Sequence, residues 1–200
     1  MNPEALHIEP FTPDDIPAAV ELTIAAWNDA LATWDKEVAR IVCEYSVRYE
    51  YQDPSLALKI TDGTGMKGFI FASSATSGNA VADEWYSLSG EKINDDAQRD
   101  ILNMLLSSSH SNEEMVLREM GDNDVMLTFF LSSEKGCGKR LLAAMNELLK
   151  SRNYNNMFLW TDITCNHGYY PRNGFELVSE KSFDKYDTDF VVYVYRKEIK

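Results

Sequence analysis

The chain has 200 residues, 44% of them hydrophobic and 12% aromatic, with a formal net charge of −13 from 32 acidic against 19 basic residues. That length suits one domain with a sizeable core, and that composition excludes a disordered chain. The acid excess argues against nucleic-acid binding, which relies on clustered Lys and Arg; it either draws in a cationic amine or simply keeps the protein soluble.

His7-Ile8-Glu9-Pro10-Phe11 reads as a first strand. Thr12-Pro13-Asp14-Asp15 supplies an N-cap, a proline at the first helical position and acids in the first turn, so a helix is expected to about Ala30. A second amphipathic segment, about Trp34 to Tyr51, carries Val38, Ile41, Val42 and Tyr45 on one side, and Asp53-Pro54 ends it. Ser55–Thr61 and Lys67–Ser73 are strand-like runs around the hairpin turn Asp62-Gly63-Thr64-Gly65, and a polar loop, Ser74 to Asn79, follows. Residues 80–120 are acidic and helical in pattern, with a cap at Asn94-Asp95-Asp96 and a break at Ser107–Asn112, and are expected to be a helical insertion between strands. Val125–Leu131 is a continuous apolar run, as in a strand buried on both faces. A helix over Gly138–Lys150 and strands at Met157–Thr161, Phe175–Ser179 and Asp189–Arg196 complete the reading: one α/β domain, a mixed sheet of six or seven strands with helices on both faces.

The chemistry is concentrated at Leu131-Ser132-Ser133-Glu134-Lys135-Gly136-Cys137-Gly138-Lys139-Arg140. A buried strand runs through a glycine loop straight into a helix, whose first N–H groups and dipole make an anion site suited to a pyrophosphate. Gly136 and Gly138 let backbone approach phosphates, and Lys139 and Arg140 offer cationic contacts. The pattern is neither a Walker loop nor GxGxxG, and by itself it is equally a glycine turn opening a helix. About thirty residues on stands Tyr169-Tyr170-Pro171-Arg172-Asn173-Gly174-Phe175.

Together, Ser133-Glu134-Lys135-Gly136-Cys137-Gly138 and Tyr170-Pro171-Arg172-Asn173-Gly174-Phe175 resemble the two signature turns of the GNAT superfamily of N-acetyltransferases. The element order fits over most of the chain; residues 80–120 lengthen a connection that is usually short, and Ser133 replaces the usual Arg or Gln. The resemblance implies a largely antiparallel sheet with splayed central strands and acetyl-CoA as co-substrate. The amides of Lys135, Gly136, Cys137, Gly138 and Lys139 would hold the pyrophosphate, with Arg140 and Ser133 beside them. The strand ending at Leu131 would line the pantetheine arm, Asn166 would contact the cofactor, and Tyr170 would protonate the leaving thiolate. Pro171 pushes Tyr170 out of the helical region, which makes Tyr169 a competitor for that role.

The expected function is therefore acetyl transfer from acetyl-CoA to a primary amine of a small molecule or peptide, by direct attack. The alternative is a non-catalytic acyl-CoA sensor or protein-interaction module on the same fold. Asp124 is the tentative general base, slightly ahead of Glu119, Asp122 and Glu84, with water relay to a distant carboxylate an equal alternative. Trp27 and Trp34 could line an acceptor pocket, while Trp85 and Trp160 default to packing. Cys43, Cys137 and Cys165 have neither CxxC spacing nor paired histidines, so neither a disulfide framework nor a zinc site is expected, and a Cys165–His167 nucleophile is disfavoured. Met1 to Pro10 shows no secretory pattern and no apolar run approaches the roughly 18–20 residues of a membrane span, so a cytoplasmic monomer or homodimer without metal is expected.

Overall fold

The computed structural model describes residues 6–74, 82, 84, 85, 87, 93, 96–186 and 188–200. The loop over 75–79 and the cap residues Asn94 and Asp95 lie outside them. Strand β1 (His7–Pro10) leads into a 3₁₀ turn, Pro13–Asp15, where the Thr12 N–H and hydroxyl both donate to Asp15 Oδ2. Helix α1 runs Ile16–Ala26, not to Ala30: the chain bends at Trp27 (φ −98°, ψ 12°) before a four-residue helix α2, Asn28–Leu31. Helix α3 (Lys36–Glu50) starts from Asp35, whose Oδ1 accepts from the Glu37 and Val38 amides. Asp53 caps a further 3₁₀ turn, Pro54–Leu56, so the next strand begins two residues later than the sequence suggests.

Strands β2 (Ala57–Asp62) and β3 (Gly65–Ser74) form the expected hairpin, closed by Asp62 Oδ1, which accepts from the amides of Thr64 and Gly65. Helix α4 is one unbroken 24-residue element, Asp96–Glu119. The break expected at Ser107–Asn112 does not form. Serine there weakens intrinsic helicity, but Ser111 Oγ bonds back to the Ser107 carbonyl, and packing of buried Asn112, Glu113 and Val116 overrides propensity. Then follow β4 (Val125–Ser132), α5 (Cys137–Ser151), β5 (Asn156–Asp162), the short helix α6 (Tyr169–Arg172) and the long hairpin β6 (Glu176–Tyr186) and β7 (Thr188–Glu198).

All seven strands join one sheet in the order β1-β2-β3-β4-β5-β7-β6, antiparallel except for β4 beside β5. Alternation along the strands separates two cores. Val125, Leu127, Met157, Leu159 and Tyr195 face α5. Phe69, Phe71, Phe129 and Leu131 face α1 and α3. A bulge explains why Leu127 and Phe129 point to opposite faces: Ala72 pairs with Leu127 and Phe71 with Phe129, leaving Thr128 as the extra residue. Met126 therefore shares the α1–α3 face, and there Val116 of α4 packs on Met126, Phe158 and Val194. Helices α3 and α4 thus cover one face of the central strands and α5 the other.

Val116 is fully buried in this contact and anchors α4 to the sheet. Val116→Ala is expected to lower unfolding free energy by about 1–3 kcal/mol, read as a lower urea midpoint with an unchanged slope.

Candidate active site

The site begins with how little β4 and β5 share. Their ladder holds two pairs, Val125↔Met157 and Met126↔Phe158, whereas β4 pairs with β3 from Val125 to Ser132 and β5 pairs with β7 along its whole length. Past Met126 and Phe158 the two strands part into a fork. The Thr128 bulge lies just past that point, and Thr128 Oγ1 donates to the Glu50 carbonyl at 2.7 Å, which fixes the end of α3 over the fork.

At the open end of β4 the chain turns into the glycine loop. Ser133 is held by its amide and hydroxyl, both donating to the Lys67 carbonyl at 2.9 and 3.1 Å. Gly136 caps α5 with φ +92°, a conformation that strains any side chain. A Cβ on Gly138 would lie 2.9 Å from Ser132 Oγ and 3.2 Å from Phe130 Cζ, so only glycine lets the helix start this close to β4. The Cys137 amide donates to the Glu134 carbonyl and the Arg140 amide to the Gly136 carbonyl. Among the described residues, the Gly138 and Lys139 amides find no backbone acceptor, which leaves them to an anion. Lys135 and Lys139 are exposed there. Arg140 is drawn aside, its guanidinium donating to the Leu6 carbonyl at 2.9 Å. Lys67 bridges Glu134 at 2.9 Å and Asp62 at 3.3 Å, tying the loop to the β2–β3 hairpin.

Two of the expected cofactor residues turn their side chains into the core, leaving only backbone to face the loop. The Leu131 side chain points into the α1–α3 core, and the Cys137 thiol is fully buried beneath the loop, where burial pushes its pKa up. Asn166 is exposed in the turn after β5, its carbonyl accepting from the Tyr169 amide.

Pro171 does not expel Tyr170 from the helix. It falls within the first turn of the four-residue α6, where a missing N–H costs nothing. Tyr170 packs against Phe175 and Tyr195, with ring centroids 5.5 and 5.7 Å away. Burial, then the neighbouring Cys165, Tyr169 and Tyr195, push its pKa well above the usual phenol, so the hydroxyl stays protonated at neutral pH. Tyr169 turns the other way, against Phe130. Its hydroxyl is buried without a partner among the described residues and would lie 3.6 Å from a Cβ on Gly138, at the start of α5.

Asp124 is not placed to act as the base. It is buried at the closed end of the β4–β5 pair, where Oδ2 accepts from the Gly121 amide and Oδ1 from the Asn156 side chain, both at 2.8 Å. Both oxygens are committed to holding the two strand starts together. Glu119, Asp122 and Glu84 are exposed. Cys165 lacks the features of a nucleophile: although the residue is exposed, desolvation at its sulfur and then Asp162 push its thiol up, and His167 stacks on Tyr193 at 4.9 Å. Trp27 stacks on Phe129 on the α1–α3 face, while Trp34 and Trp85 each pack against the cluster of Val38, Ile41, Val42 and Ile93. Trp160 packs beside Val116, on the same face as Phe158.

Two acids come together between α3 and α4: Glu50, at the end of α3, and Glu113, on α4. Tyr49 Oη donates to Glu113 Oε2 at 3.0 Å, and the Tyr49 ring lies 5.3 Å from His110. Burial pushes the Glu113 carboxyl up against the opposing pull of Tyr49 and His110; burial and then Glu113's charge push Glu50 well up. A sequence signal existed: Glu113 sits between Asn112 and Val116 on the inward face of α4, where an apolar residue is the default.

No protein-family profile matches the sequence, and no curated protein does. Solved structures match along nearly the whole chain. SsHAT shares 19% identity at a TM-score of 0.65, covering 98% of this chain and 99% of its own. The ribosomal-protein-S18-alanine N-acetyltransferase of Escherichia coli shares 11% identity at 0.54, covering 98% of this chain and 95% of its own. PaiA N-acetyltransferase of Thermoplasma acidophilum, solved with coenzyme A, shares 13% identity at 0.54, covering 97% and 99%. At these identities the likeness is one of fold, and the fold is that of the GNAT acetyltransferases: a seven-stranded, mostly antiparallel open sheet with helices on both faces.

Asp124→Ala strips the partners from the Gly121 amide and the Asn156 side chain. It is expected to cost about 1–3 kcal/mol in urea unfolding while leaving turnover per folded molecule unchanged. Gly136→Ala, with open space around its Cβ but a forbidden φ, is expected to cost about 1–2 kcal/mol by the same measurement.

Proposed function

We propose that this protein is an acetyl-CoA-dependent N-acetyltransferase that acylates a primary amine by direct attack on the thioester. The observation that carries this reading is the fork: parallel strands joined by two pairs and then parted, with a glycine-opened helix start at the mouth of the gap. The solved neighbours support it, since one is described with coenzyme A and others as N-acetyltransferases.

In this reading the Gly138 and Lys139 amides, with Lys135 and Lys139, take the pyrophosphate of CoA. The pantetheine arm lies in the fork, where the facing strand edges offer backbone groups that no neighbouring strand takes. An amide on β4 near the Thr128 bulge polarises the thioester oxygen, a step that grows in worth as charge develops there. The neutral amine attacks the carbonyl carbon, the C–N bond forms, and the C–S bond breaks. Tyr170, a phenol kept protonated by burial, gives its proton to the departing thiolate, whose acid form has a pKa of about 8.5.

Calorimetry with acetyl-CoA tests the cofactor half of the reading; no heat of binding at high micromolar concentration overturns it. Thiol release with a panel of alkylamines, polyamines, aminoglycosides and peptides tests the transfer. Tyr170→Phe is expected to lower kcat by about a hundredfold with acetyl-CoA affinity nearly intact. If Tyr169→Phe does this instead and Tyr170→Phe does not, the acid is Tyr169.

A further inference from the structure

The geometry points to the Glu50–Glu113 carboxyl pair, seated between α3 and α4 over the fork of β4 and β5, as the subsite that receives the acceptor's ammonium and takes a proton from it. This rests on the acetyltransferase reading above and adds to it the acceptor's charge and the identity of the base.

The position follows from the packing. Val116 of α4 lies on Met126 and Phe158, the last paired residues before the strands part. The chain leaves the C-terminus of α4 through Gly121 and Asp124 and enters β4 at Val125, so α4 and β4 run in opposite directions. Moving toward the N-terminus of α4 therefore moves out over the open fork. Glu113 is three residues that way, about 4.5 Å along the axis. From the other side, Glu50 ends α3, and its carbonyl accepts from Thr128 at the bulge. The two carboxyls therefore meet above the point where an acyl group in the fork would present its carbonyl.

The chemistry of the pair is unusual for a structural contact. Glu113 is nine-tenths buried, with 9% of its surface exposed, and its Oε1 has no hydrogen-bond partner among the described residues. Only Oε2 is held, by Tyr49. Glu50 is half-buried, and no lysine or arginine is bonded to either carboxyl among the described residues. The lone buried oxygen lacks a donor, and an ammonium is a donor of the matching charge. Among the described residues, Tyr49 of α3 and His110 of α4 face the pair, with Tyr45 stacked behind Tyr49 and the uncharged Thr128 of β4 on the Glu50 carbonyl. Burial raises the Glu113 carboxyl, and burial and then Glu113's charge raise Glu50, and a carboxylate with a raised pKa is a stronger base.

The proton count closes. The acceptor's ammonium gives one proton to the pair, and its nitrogen attacks the thioester. The second proton lost from nitrogen in the tetrahedral intermediate passes through water to the Tyr170 phenolate left when Tyr170 protonates sulfur, and the pair returns its proton to water. The net products are amide, CoA thiol and one released proton.

The test uses the full chain with spermidine and n-butylamine as probes, by calorimetry on protein saturated with acetyl-CoA, followed by thiol-release kinetics. Glu113→Gln keeps the shape and still accepts from Tyr49; Glu114→Gln, which removes an exposed charge paired with Arg118, is the charge control. At least one probe is expected to bind wild type and the control, and to bind Glu113→Gln roughly tenfold more weakly. For any probe that is acetylated, kcat/KM in Glu113→Gln falls about a hundredfold and the acid limb of its pH profile flattens, with partial recovery in Glu113→Asp. A structural role alone predicts no change in that limb. Glu113→Gln is also expected to unfold at higher urea than wild type above the ordinary carboxyl range. A carboxyl raised on folding loses stability as pH climbs from its unfolded value near 4.5 through its folded one, and glutamine does not. If acetyl-CoA binds but neither amine does, or if Glu113→Gln binds and turns them over like wild type, the pair is not the acceptor subsite and the cofactor reading stands. If acetyl-CoA itself fails to bind, both fall.

Discussion

The two-pair ladder between β4 and β5 is the constraint on which the rest of the site depends. A parallel pair that continued to Ser132 and Asp162 would close the sheet and leave no entry for a ligand. Separation is stable here because each strand keeps its other neighbour: β3 holds β4 throughout and β7 holds β5 throughout. The closed end is locked by side chains as well as backbone, with Asp124 joining the Gly121 turn to Asn156 at the start of β5. The Thr128 bulge then re-aims β4 and shifts its alternation by one, so that Phe129 and Leu131 serve the α1–α3 core. Two small features at the base of the fork thus decide where backbone groups are left without partners and which face each later side chain meets.

The helices divide the fork's surroundings by charge. Helix α5 lies on one face and brings its first turn, Lys139 and the glycine loop to the mouth of the gap. Helices α3 and α4 lie on the other and bring Glu50 and Glu113. An anionic cofactor and a cationic acceptor would approach a common reacting carbon from opposite sides of the sheet. The net charge of −13 fits that division without explaining it, because the relevant acids are a buried and a half-buried carboxyl rather than the exposed majority.

Much of the fold is written locally in the sequence. Thr12-Pro13-Asp14-Asp15 and Asp62-Gly63-Thr64-Gly65 each hold their own turn through an aspartate that accepts from residues two or three away, so short-range chemistry sufficed to place them. The glycine loop was legible for the same reason, since Gly136 needs its positive φ whatever surrounds it. The unbroken α4 was not legible, because serines at 107–111 are tolerated only through burial of Asn112, Glu113 and Val116 against other elements. The base was illegible for a related reason. Asp124 stands next to the critical strand in sequence yet at its closed end in space, whereas Tyr49 and Glu113, which meet in the structure, are 64 positions apart. The bulge at Thr128 left no mark on an apolar run, so neither the turn in β4 nor the approach of Glu50 could be read from Val125–Leu131.

The placement of Glu113 gives α4 more than a packing role. A helix that only covered β5 and β7 would put an aliphatic residue one turn from Val116, since a carboxylate set beside another in a dry contact costs several kcal/mol. No lysine or arginine is bonded to either carboxyl among the described residues, His110 offsets the cost only in part, and Tyr49 satisfies only one of the two Glu113 oxygens. The arrangement persists because the surrounding contacts outweigh it: Val116 on Met126 and Phe158, and Thr128 on the Glu50 carbonyl. Those contacts also hold the two carboxyls at one place relative to the fork. The same packing that lets α4 run through a stretch of poor helix formers therefore fixes a charge where a reacting amine would need one, and the lengthened connection between β3 and β4 becomes part of the site it borders.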